Sequence, residues 1–276
     1  MDLQLLDKRA LVTGSTSGIG EGIAKMLAHE GASVVIHGRN KQQADRIADE
    51  INNNTNSYSI SPDSAKAYVT IGDLSKDAGA KEVVRESQRL VGHIDILINN
   101  AAVYLNSGWT DATPDQWAEL YNFNVLSAVR MIQLVIPQMK RLGWGRIIQM
   151  STGEATQPFA FMPDYAATKA ALVNITVSLS KELAQTGITV NTISPGIIVT
   201  HNVEQFYRQT AINKGWGTDW KEIERHILTE VLNNPVGRLG TIEDVANLVA
   251  FVASPLASYI NGANLRVDGG STITIN

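Results

Sequence analysis

The sequence predicts an α/β fold with a doubly wound parallel sheet of about seven strands flanked by helices. Short apolar runs alternate with longer amphipathic stretches along the whole chain, and this alternation is typical of parallel strands joined by crossover helices. The chain has 276 residues, 44% of them hydrophobic, which is enough for a full core. Because no composition break or long linker divides it, we expect one domain over residues 1–276.

Seven apolar runs are the expected strands. They cover residues 10–12, 33–37, 67–71, 95–99, 146–150, 189–193 and 264–267. Helices are expected over residues 19–30, 41–52, 76–91, 114–142, 165–186 and 242–253. The polar residues 52–66 are expected to form an exposed loop, and residues 201–235 a helical insert over one end of the sheet.

The composition narrows the function classes. The net charge is −4 with acids and bases interspersed, which argues against nucleic acid or an anionic membrane as a partner. The lack of cysteine excludes disulfides, zinc–thiolate sites and thiol nucleophiles, and the five histidines form no convincing metal-ligand cluster. No apolar run reaches the roughly 18 residues of a membrane span, and the charged N-terminus is unlike a signal peptide, so we expect a cytoplasmic protein without a metal.

A glycine-rich turn joins the first strand to the first helix. It reads Thr13-Gly14-Ser15-Thr16-Ser17-Gly18-Ile19-Gly20. Glycines permit a tight turn and let backbone N–H groups approach a pyrophosphate, and the helix N-terminus adds donors and a positive dipole end. The strand-turn-helix context therefore predicts dinucleotide binding and a Rossmann-like sheet. The spacing differs from the Gly-x-Gly-x-x-Gly fingerprint and from a Walker loop.

The end of the second strand bears on the choice of dinucleotide. Proteins that bind NAD usually place an acid there to hold the ribose hydroxyls. This chain instead reads His37-Gly38-Arg39-Asn40. The guanidinium of Arg39 suits a 2′-phosphate, although a solvated loop arginine is the alternative interpretation. NADP(H) is therefore favoured over NAD(H).

Tyr165 and Lys169 lie four residues apart within a predicted helix and so share one face. A phenol ordinarily titrates near pH ~10, and a neighbouring cation is expected to lower that pKa. The pair thus predicts a general acid/base that works near neutrality. Alone the motif is weak, because a surface lysine beside a half-buried tyrosine gives the same pattern.

Together these motifs resemble the short-chain dehydrogenase/reductase family over nearly the whole chain. Further matching segments are Asp73-Leu74, Asn99-Asn100-Ala101-Ala102, Asn124-Val125, Pro195-Gly196-Ile197-Ile198-Val199-Thr200 and Asp268-Gly269-Gly270. Ala102 departs from the usual glycine. Besides the glycine turn and Arg39, the resemblance implies cofactor contacts from Asp73, Leu74, Asn100, Ala101, Ala102, Tyr165, Lys169, Pro195, Gly196, Ile198 and Thr200.

The resemblance also implies a catalytic set. Tyr165 would donate a proton to the substrate carbonyl, Lys169 would hold the nicotinamide ribose and Asn124 would hold a relay water. The family has a serine about thirteen residues before the tyrosine, and counting back reaches Thr152, with Ser151 one place away. A threonine hydroxyl donates and accepts like that of serine, so Thr152 is favoured to orient the carbonyl and Ser151 is the rival.

The resemblance implies an NADP(H)-dependent oxidoreductase that interconverts a ketone or aldehyde carbonyl and an alcohol in a small molecule. One alternative is a 3-oxoacyl-carrier-protein reductase, although Gly143 and Thr186 occupy places where basic residues would meet the acidic carrier. A non-catalytic NADP(H)-binding sensor or scaffold is less favoured, because both Tyr165 and Lys169 are present.

Two expectations concern the surroundings of this set. Glu154 lies close to the catalytic end in sequence and could bind a polar substrate group or cap backbone donors, of which capping is favoured. The resemblance also implies a homotetramer or homodimer built on helices 114–142 and 165–186 and the last strand.

Overall fold

A computed structural model of the chain describes residues 1–58, 65–104 and 108–274. Its centre is a seven-stranded sheet in the order β3-β2-β1-β4-β5-β6-β7, and every neighbouring pair is parallel. The strands are β1 (Arg9–Val12), β2 (Ser33–Gly38), β3 (Ala67–Ile71), β4 (Ile96–Asn99), β5 (Gly145–Met150), β6 (Ile188–Pro195) and β7 (Asn264–Val267). The predicted doubly wound sheet is confirmed.

Helices connect these strands as the alternating pattern predicts. They are α1 (Gly18–His29), α2 (Lys41–Tyr58), α3 (Asp77–Val91), α4 (Pro114–Tyr121), α5 (Ser127–Leu142), α6 (Pro163–Glu182), α7 (His201–Lys214), α8 (Trp220–His226) and α9 (Ile242–Ala253). None of the helices in the described ranges is long and apolar enough to cross a membrane.

The side chains of each strand alternate between two apolar layers. Ile96 and Ile98 of β4 face a cluster that α1, α2 and α9 complete, whereas Leu97 faces a cluster with α3 and α5. This alternation follows from the two-residue period of a strand and buries both faces of the sheet. A third cluster contains Tyr207, Trp216 and other apolar residues of the region 197–239.

The prediction of one helix over 114–142 is wrong in one detail. A π-helical turn, Asn122–Leu126, separates α4 from α5. Its wider hydrogen-bond spacing has no sequence signature at the level of apolar periodicity. Such turns are rare and frequently occur at functional sites, and this one contains Asn124.

The loop predicted for residues 52–66 is also wrong in part. Helix α2 continues to Tyr58, and residues 59–64 lie outside the described residues. Once a helix has formed, each added residue contributes another hydrogen bond, and residues 53–58 contain neither glycine nor proline to stop it. The polar composition of this segment was therefore a poor guide to its backbone.

Candidate active site

The turns that follow the parallel strands meet at one edge of the sheet, and the glycine turn after β1 packs closely there. Gly14 has a φ of +63°, and a Cβ placed on it would lie 2.8 Å from the Cα of Ala101. A Cβ on Gly20, which is buried in α1, would lie 2.4 Å from the Nδ2 of Asn100. The turn after β1 therefore rests directly on the turn after β4, and side chains at these two positions would separate them.

Hydrogen bonds fix the same two turns. The Nδ2 of Asn100 donates to the carbonyls of Thr13 and Gly14, at 3.0 Å each. The Oγ1 of Thr13 accepts from the backbone N–H groups of Asn100 and Ala101, at 2.9 and 3.0 Å. It also donates to the carbonyl of Ile98 at 3.1 Å. These contacts hold the glycine turn in one conformation from within the protein.

His37 is a site residue that the sequence prediction missed. The N–H of Gly14 donates to its Nδ1 at 3.1 Å, and its Nε2 lies 3.2 Å from the carbonyl of Gly72. Both contacts are satisfied by a neutral ring that carries its proton on Nε2. Burial lowers the pKa of His37 to about 4, which favours that neutral form. In the sequence, only the position of His37 at the end of β2, two residues before Arg39, points to a role in the site.

A groove of about 280 Å³ runs over these turns. Predicted cofactor residues that line it are Gly14, Thr16, Ser17, Arg39, Asp73, Leu74, Asn100, Ala101 and Ala102, and residues not predicted include His37, Gly38, Ser75, Val103 and Phe123. Glycine and alanine residues line the groove, and a Cβ at Gly14 would clash with Ala101 there. The exposed guanidinium of Arg39 also lines the groove. The groove thus suits an extended, anionic dinucleotide.

Three predicted cofactor residues of this region have partners within the protein. The Oδ1 of Asp73 accepts from the N–H and the hydroxyl of Ser75, at 3.0 and 2.7 Å, and these bonds lower the pKa of Asp73. Ser15 is buried and donates to the carbonyl of Val12 at 2.7 Å. Ile19, in α1, packs against the core cluster of that face of the sheet. Ser15 and Ile19 therefore support the turn from beneath.

The segment after β6 approaches the same turn from the other side. A Cβ on Gly18 would lie 3.5 Å from the Cγ2 of Thr200, whose side chain caps α7. Ile198 forms a bridge with Gly240, and Gly196 packs closely on Asp268. Pro195 ends β6. Thr200, at the end of the Pro-Gly segment, thus lies against the glycine turn, and the expected cofactor contacts of Pro195, Gly196, Ile198 and Thr200 stay a prediction.

Tyr165 and Lys169 share one face of α6, next to the end of β5. The Nζ of Lys169 donates to the carbonyl of Met150 at 2.8 Å and lies 5.6 Å from the centroid of the Tyr165 ring. Burial lowers the pKa of Lys169 to about 8. The ammonium is therefore held beside the phenol by the last residue of β5.

The expected direction of the Tyr165 pKa is wrong. Burial raises this pKa, and the nearby Glu154 and Tyr104 raise it further. The spacing of Tyr165 and Lys169 reveals the cation, but it cannot reveal the loss of solvent around the phenol or the carboxylate beside it. Tyr165 consequently keeps its proton at neutral pH, as a proton donor must.

The two candidate hydroxyls at the end of β5 have different partners. The Oγ of Ser151 donates to the carbonyl of Lys169 at 3.0 Å, so its proton is used within the protein. The Oγ1 of Thr152 accepts from the N–H of Glu154 at 3.4 Å, a contact that leaves its proton available. Thr152 also lines a small cavity at the catalytic edge, together with Glu154.

Asn124 is buried in the π-helical turn and makes three hydrogen bonds. Its Nδ2 donates to the carbonyl of Val103 at 2.8 Å and to the Oγ1 of Thr168 at 3.1 Å. Its Oδ1 accepts from the N–H of Val103 at 2.8 Å. The side chain thus ties the loop after β4 to α6, and its water-holding role stays a prediction.

Glu154 does not have the side-chain role that was favoured for it. Its Oε2 is buried and has no hydrogen-bond partner among the described residues, so this oxygen caps no backbone donor there. Burial raises the pKa of Glu154 to about 7. The position of Glu154 two residues after Thr152 indicates from the sequence that it lies near the site. The sequence does not indicate that its Oε2 lacks a hydrogen-bond donor among the described residues.

Comparison with known families identifies the scaffold. The family described as short chain dehydrogenase matches residues 8–211. The chain is 34% identical to the 3-oxoacyl-[acyl-carrier-protein] reductase FabG of Aquifex aeolicus, over 98% of this chain and 99% of that protein. It is also 34% identical to a D-beta-hydroxybutyrate dehydrogenase of Cupriavidus necator, over 95% of this chain and 97% of the relative.

A solved structure agrees with these sequence relatives. L-sorbose reductase from Gluconobacter frateurii, complexed with NADPH and L-sorbose, superposes with a TM-score of 0.90 at 31% identity and covers 100% of both chains. The similarity therefore extends over the sheet, the turns at its catalytic edge and the helices of region 197–239.

Proposed function

Because the chain belongs to the short-chain dehydrogenase/reductase family, we propose that it is an NADP(H)-dependent oxidoreductase that interconverts a ketone or aldehyde carbonyl and an alcohol. The observation that carries this proposal is the position of Tyr165 and Lys169. They lie at the end of β5, at the same sheet edge as the groove formed by the glycine turn. A proton donor and a dinucleotide groove at one edge are what carbonyl reduction requires.

The preference for NADP(H) rests on the end of β2. Arg39 is exposed at the groove, and residues 37–40 include no acid that would hold ribose hydroxyls. The NADPH complex of the sorbose reductase relative is consistent with this preference. When bound, the dinucleotide supplies or accepts the hydride, and the protein supplies binding, orientation and the proton.

Each catalytic side chain has a distinct task in this proposal. Tyr165 donates the proton to the carbonyl oxygen, and its raised pKa keeps the phenol protonated until the oxygen becomes basic. Thr152 orients the carbonyl, since its hydroxyl proton is available while that of Ser151 is donated to Lys169. Lys169 holds the nicotinamide ribose and balances negative charge on the reacting oxygens.

A carbonyl panel tests the proposal. The loss of NADPH absorbance is followed with free ketones, aldehydes and ketoses at a fixed enzyme concentration, and NADPH binding is measured separately. Turnover of at least one carbonyl is expected. Tight NADPH binding without turnover of any panel member would instead support the sensor or scaffold alternative.

A second candidate is reduction of a carrier-linked 3-oxoacyl group, which the FabG relative favours. The carrier is acidic, yet Gly143 and Thr186 provide no charge where it would dock, and Lys140 and Arg141 are the nearest cations in sequence. The experiment compares kcat/KM for the same 3-oxoacyl group as a carrier-linked substrate and as a short free thioester. A higher kcat/KM on the carrier is the result that this candidate requires.

We also propose a homotetramer or homodimer through α5, α6 and β7. Exposed apolar side chains on these helices, Leu142 and Val177, support this assembly because contact with another subunit would bury them. Light scattering coupled to size exclusion measures the mass. A monomer at micromolar concentration is the contrary result.

A further inference from the structure

One carboxylate oxygen near the catalytic helix has no hydrogen-bond partner in the part of the chain that the structure describes. Glu154 belongs to a short 3₁₀ turn, Gly153–Ala155, which follows β5 and is capped by the side chain of Thr152. Its Oε2 is buried and accepts no hydrogen bond from the described residues. None of the ion pairs between described residues includes it. A buried acceptor without a donor destabilises a fold, and a donor group of a bound molecule would offset that cost.

The surroundings of Glu154 place it between the catalytic helix and the helices of region 197–239. Its charge raises the pKa of Tyr165, on α6, after the larger effect of burial. It has the same secondary effect on Tyr207, which is buried in α7. The 3₁₀ turn that carries Glu154 packs against α6, the helix that carries Tyr165.

The space next to Glu154 is small. A cavity of about 60 Å³ is lined by Glu154 together with Thr152, Gln157, Phe159 and Leu232, among other residues. A single water needs roughly 10–15 Å³, so the cavity has room for a group of a few heavy atoms next to Glu154. The favoured hydroxyl for orienting the carbonyl, that of Thr152, lies on its wall.

We propose that the Oε2 of Glu154 accepts a hydrogen bond from a hydroxyl group of the substrate, and that the enzyme thereby selects hydroxylated carbonyl compounds over their deoxy analogues. This inference rests on the proposed carbonyl reduction. A hydroxyl donor next to the carbonyl satisfies the carboxylate, whereas a methyl group leaves it buried and unpaired. Sites built to bond a hydroxyl reject analogues without it strongly, because the polar group of the protein loses its partner.

The test compares matched ketones that differ by one hydroxyl. The pairs are hydroxyacetone with acetone, dihydroxyacetone with hydroxyacetone, and 4-hydroxy-2-butanone with 2-butanone. For each pair the ratio of kcat/KM is measured with NADPH for the wild type, Glu154→Leu and Glu154→Gln. Glu182→Gln removes an exposed carboxylate from the end of α6 and is the charge-matched control.

The wild type is expected to prefer the hydroxylated member of at least one pair by roughly tenfold or more. Glu154→Leu should reduce that ratio to within about threefold, mainly through a higher KM for the hydroxylated ketone, with little change for its deoxy partner. Glu154→Gln keeps a neutral acceptor and should give an intermediate ratio, because bonds to a charged acceptor are roughly twice as strong. Glu182→Gln should keep the wild-type ratio.

Other results overturn the inference. An unchanged ratio in Glu154→Leu, or an equal loss on both members of every pair, assigns Glu154 a structural or purely electrostatic role. If Glu154→Leu fails to fold or to bind NADPH, the isosteric Glu154→Gln decides, and a wild-type ratio in that variant together with an unchanged KM rejects the bond. Absence of wild-type turnover on every carbonyl rejects the proposed function itself, whereas turnover without a Glu154-dependent ratio rejects only the inference.

Discussion

The cofactor side and the substrate side of this sheet edge treat their polar atoms differently. On the cofactor side, the turns after β1, β2 and β4 are bonded to one another through Thr13, His37 and Asn100. On the substrate side, Glu154 keeps a buried oxygen for which the described residues provide no donor, and Tyr165 has a raised pKa. Hydrogen bonds within the protein hold the turns of the first region, although the Nδ2 of Asn99 at the end of β4 has no partner among the described residues. The second region combines an unpaired carboxylate oxygen with a cavity next to it.

This difference indicates that the cofactor side contributes stable binding of the dinucleotide, whereas the substrate side contributes specificity. A groove whose turns are already joined by hydrogen bonds is expected to lose little conformational freedom when it binds the dinucleotide. An unsatisfied carboxylate destabilises the folded protein but discriminates between substrates. Four predictions test this division, in order of decreasing effect.

The largest effect is expected from Tyr165→Phe, which removes the proposed proton donor and leaves the groove intact. The kcat should fall by about 10²–10⁴, the usual contribution of general acid catalysis, while the Kd for NADPH stays within about twofold. Steady-state kinetics and a fluorescence titration measure the two quantities. Tyr68→Phe, a change at a half-buried tyrosine on β3, is the control. Retained turnover in Tyr165→Phe would remove this residue from the mechanism.

Arg39→Ala should weaken the binding of NADPH without changing the rate of the chemical step. The affinity for NADPH relative to NADH should fall by roughly 10- to 100-fold, as expected for one or two bonds to a charged phosphate. Saturated kcat should change little. Lys41→Ala is the matched control, because Lys41 is also an exposed cation near the end of β2 and pairs with Asp45 at 2.6 Å. An equal loss of affinity for both dinucleotides would contradict the role of Arg39.

The third prediction concerns acid stability on the cofactor side. Burial lowers the pKa of His37 from 6.5 to about 4, so the unfolded chain binds more protons than the folded one between these values. The stabilisation is fully present above pH 6.5 and is lost as the pH falls through about 4. Relative to His37→Asn, the wild type should lose on the order of 2 kcal/mol of unfolding free energy between pH 7 and pH 4. Urea denaturation at both pH values measures it, and a constant difference would show that His37 does not titrate in this way.

The smallest effect is expected for Glu154, on the substrate side, whose contribution to stability depends on pH in the opposite direction to that of His37. Burial raises the pKa of Glu154 from 4.5 to about 7, so here the folded protein binds more protons. Its contribution is fully present below pH 4.5 and is lost as the pH rises through about 7. Relative to Glu154→Gln, the wild type should lose on the order of 1 kcal/mol of unfolding free energy between pH 5 and pH 8, a value reduced for partial solvent screening.

Urea denaturation at both pH values measures this loss, and the control variant Glu182→Gln should lose as much as the wild type. A gain of stability for the wild type over this range would reverse the assignment.

The sequence predicted the sheet well because each strand is a short apolar run in regular alternation with helices. It also predicted most of the groove, since glycines at a strand-helix junction have few other uses. The π-helical turn at Asn122–Leu126 was not predictable from periodicity, because the preceding and following helices have the same apolar spacing that one helix would have.

Properties set by tertiary contacts were beyond the sequence. The spacing of Tyr165 and Lys169 indicated a lowered phenol pKa, but burial and the charge of Glu154 act in the other direction. The contacts of His37 join segments 23 and 35 residues away along the chain. The missing partner of Glu154 likewise depends on which side chains the fold leaves out of reach.

The apolar cluster of region 197–239 is contiguous in the chain. Its members, including Tyr207, Trp216 and Ile223, all come from that one segment, and Trp216 stacks on His226 within it. The two clusters against the sheet, by contrast, draw on helices spread over the whole sequence. Because this cluster packs on itself while Ile198 joins the region to the core of the sheet, substitutions confined to the cluster offer a way to redesign this region without disturbing that core.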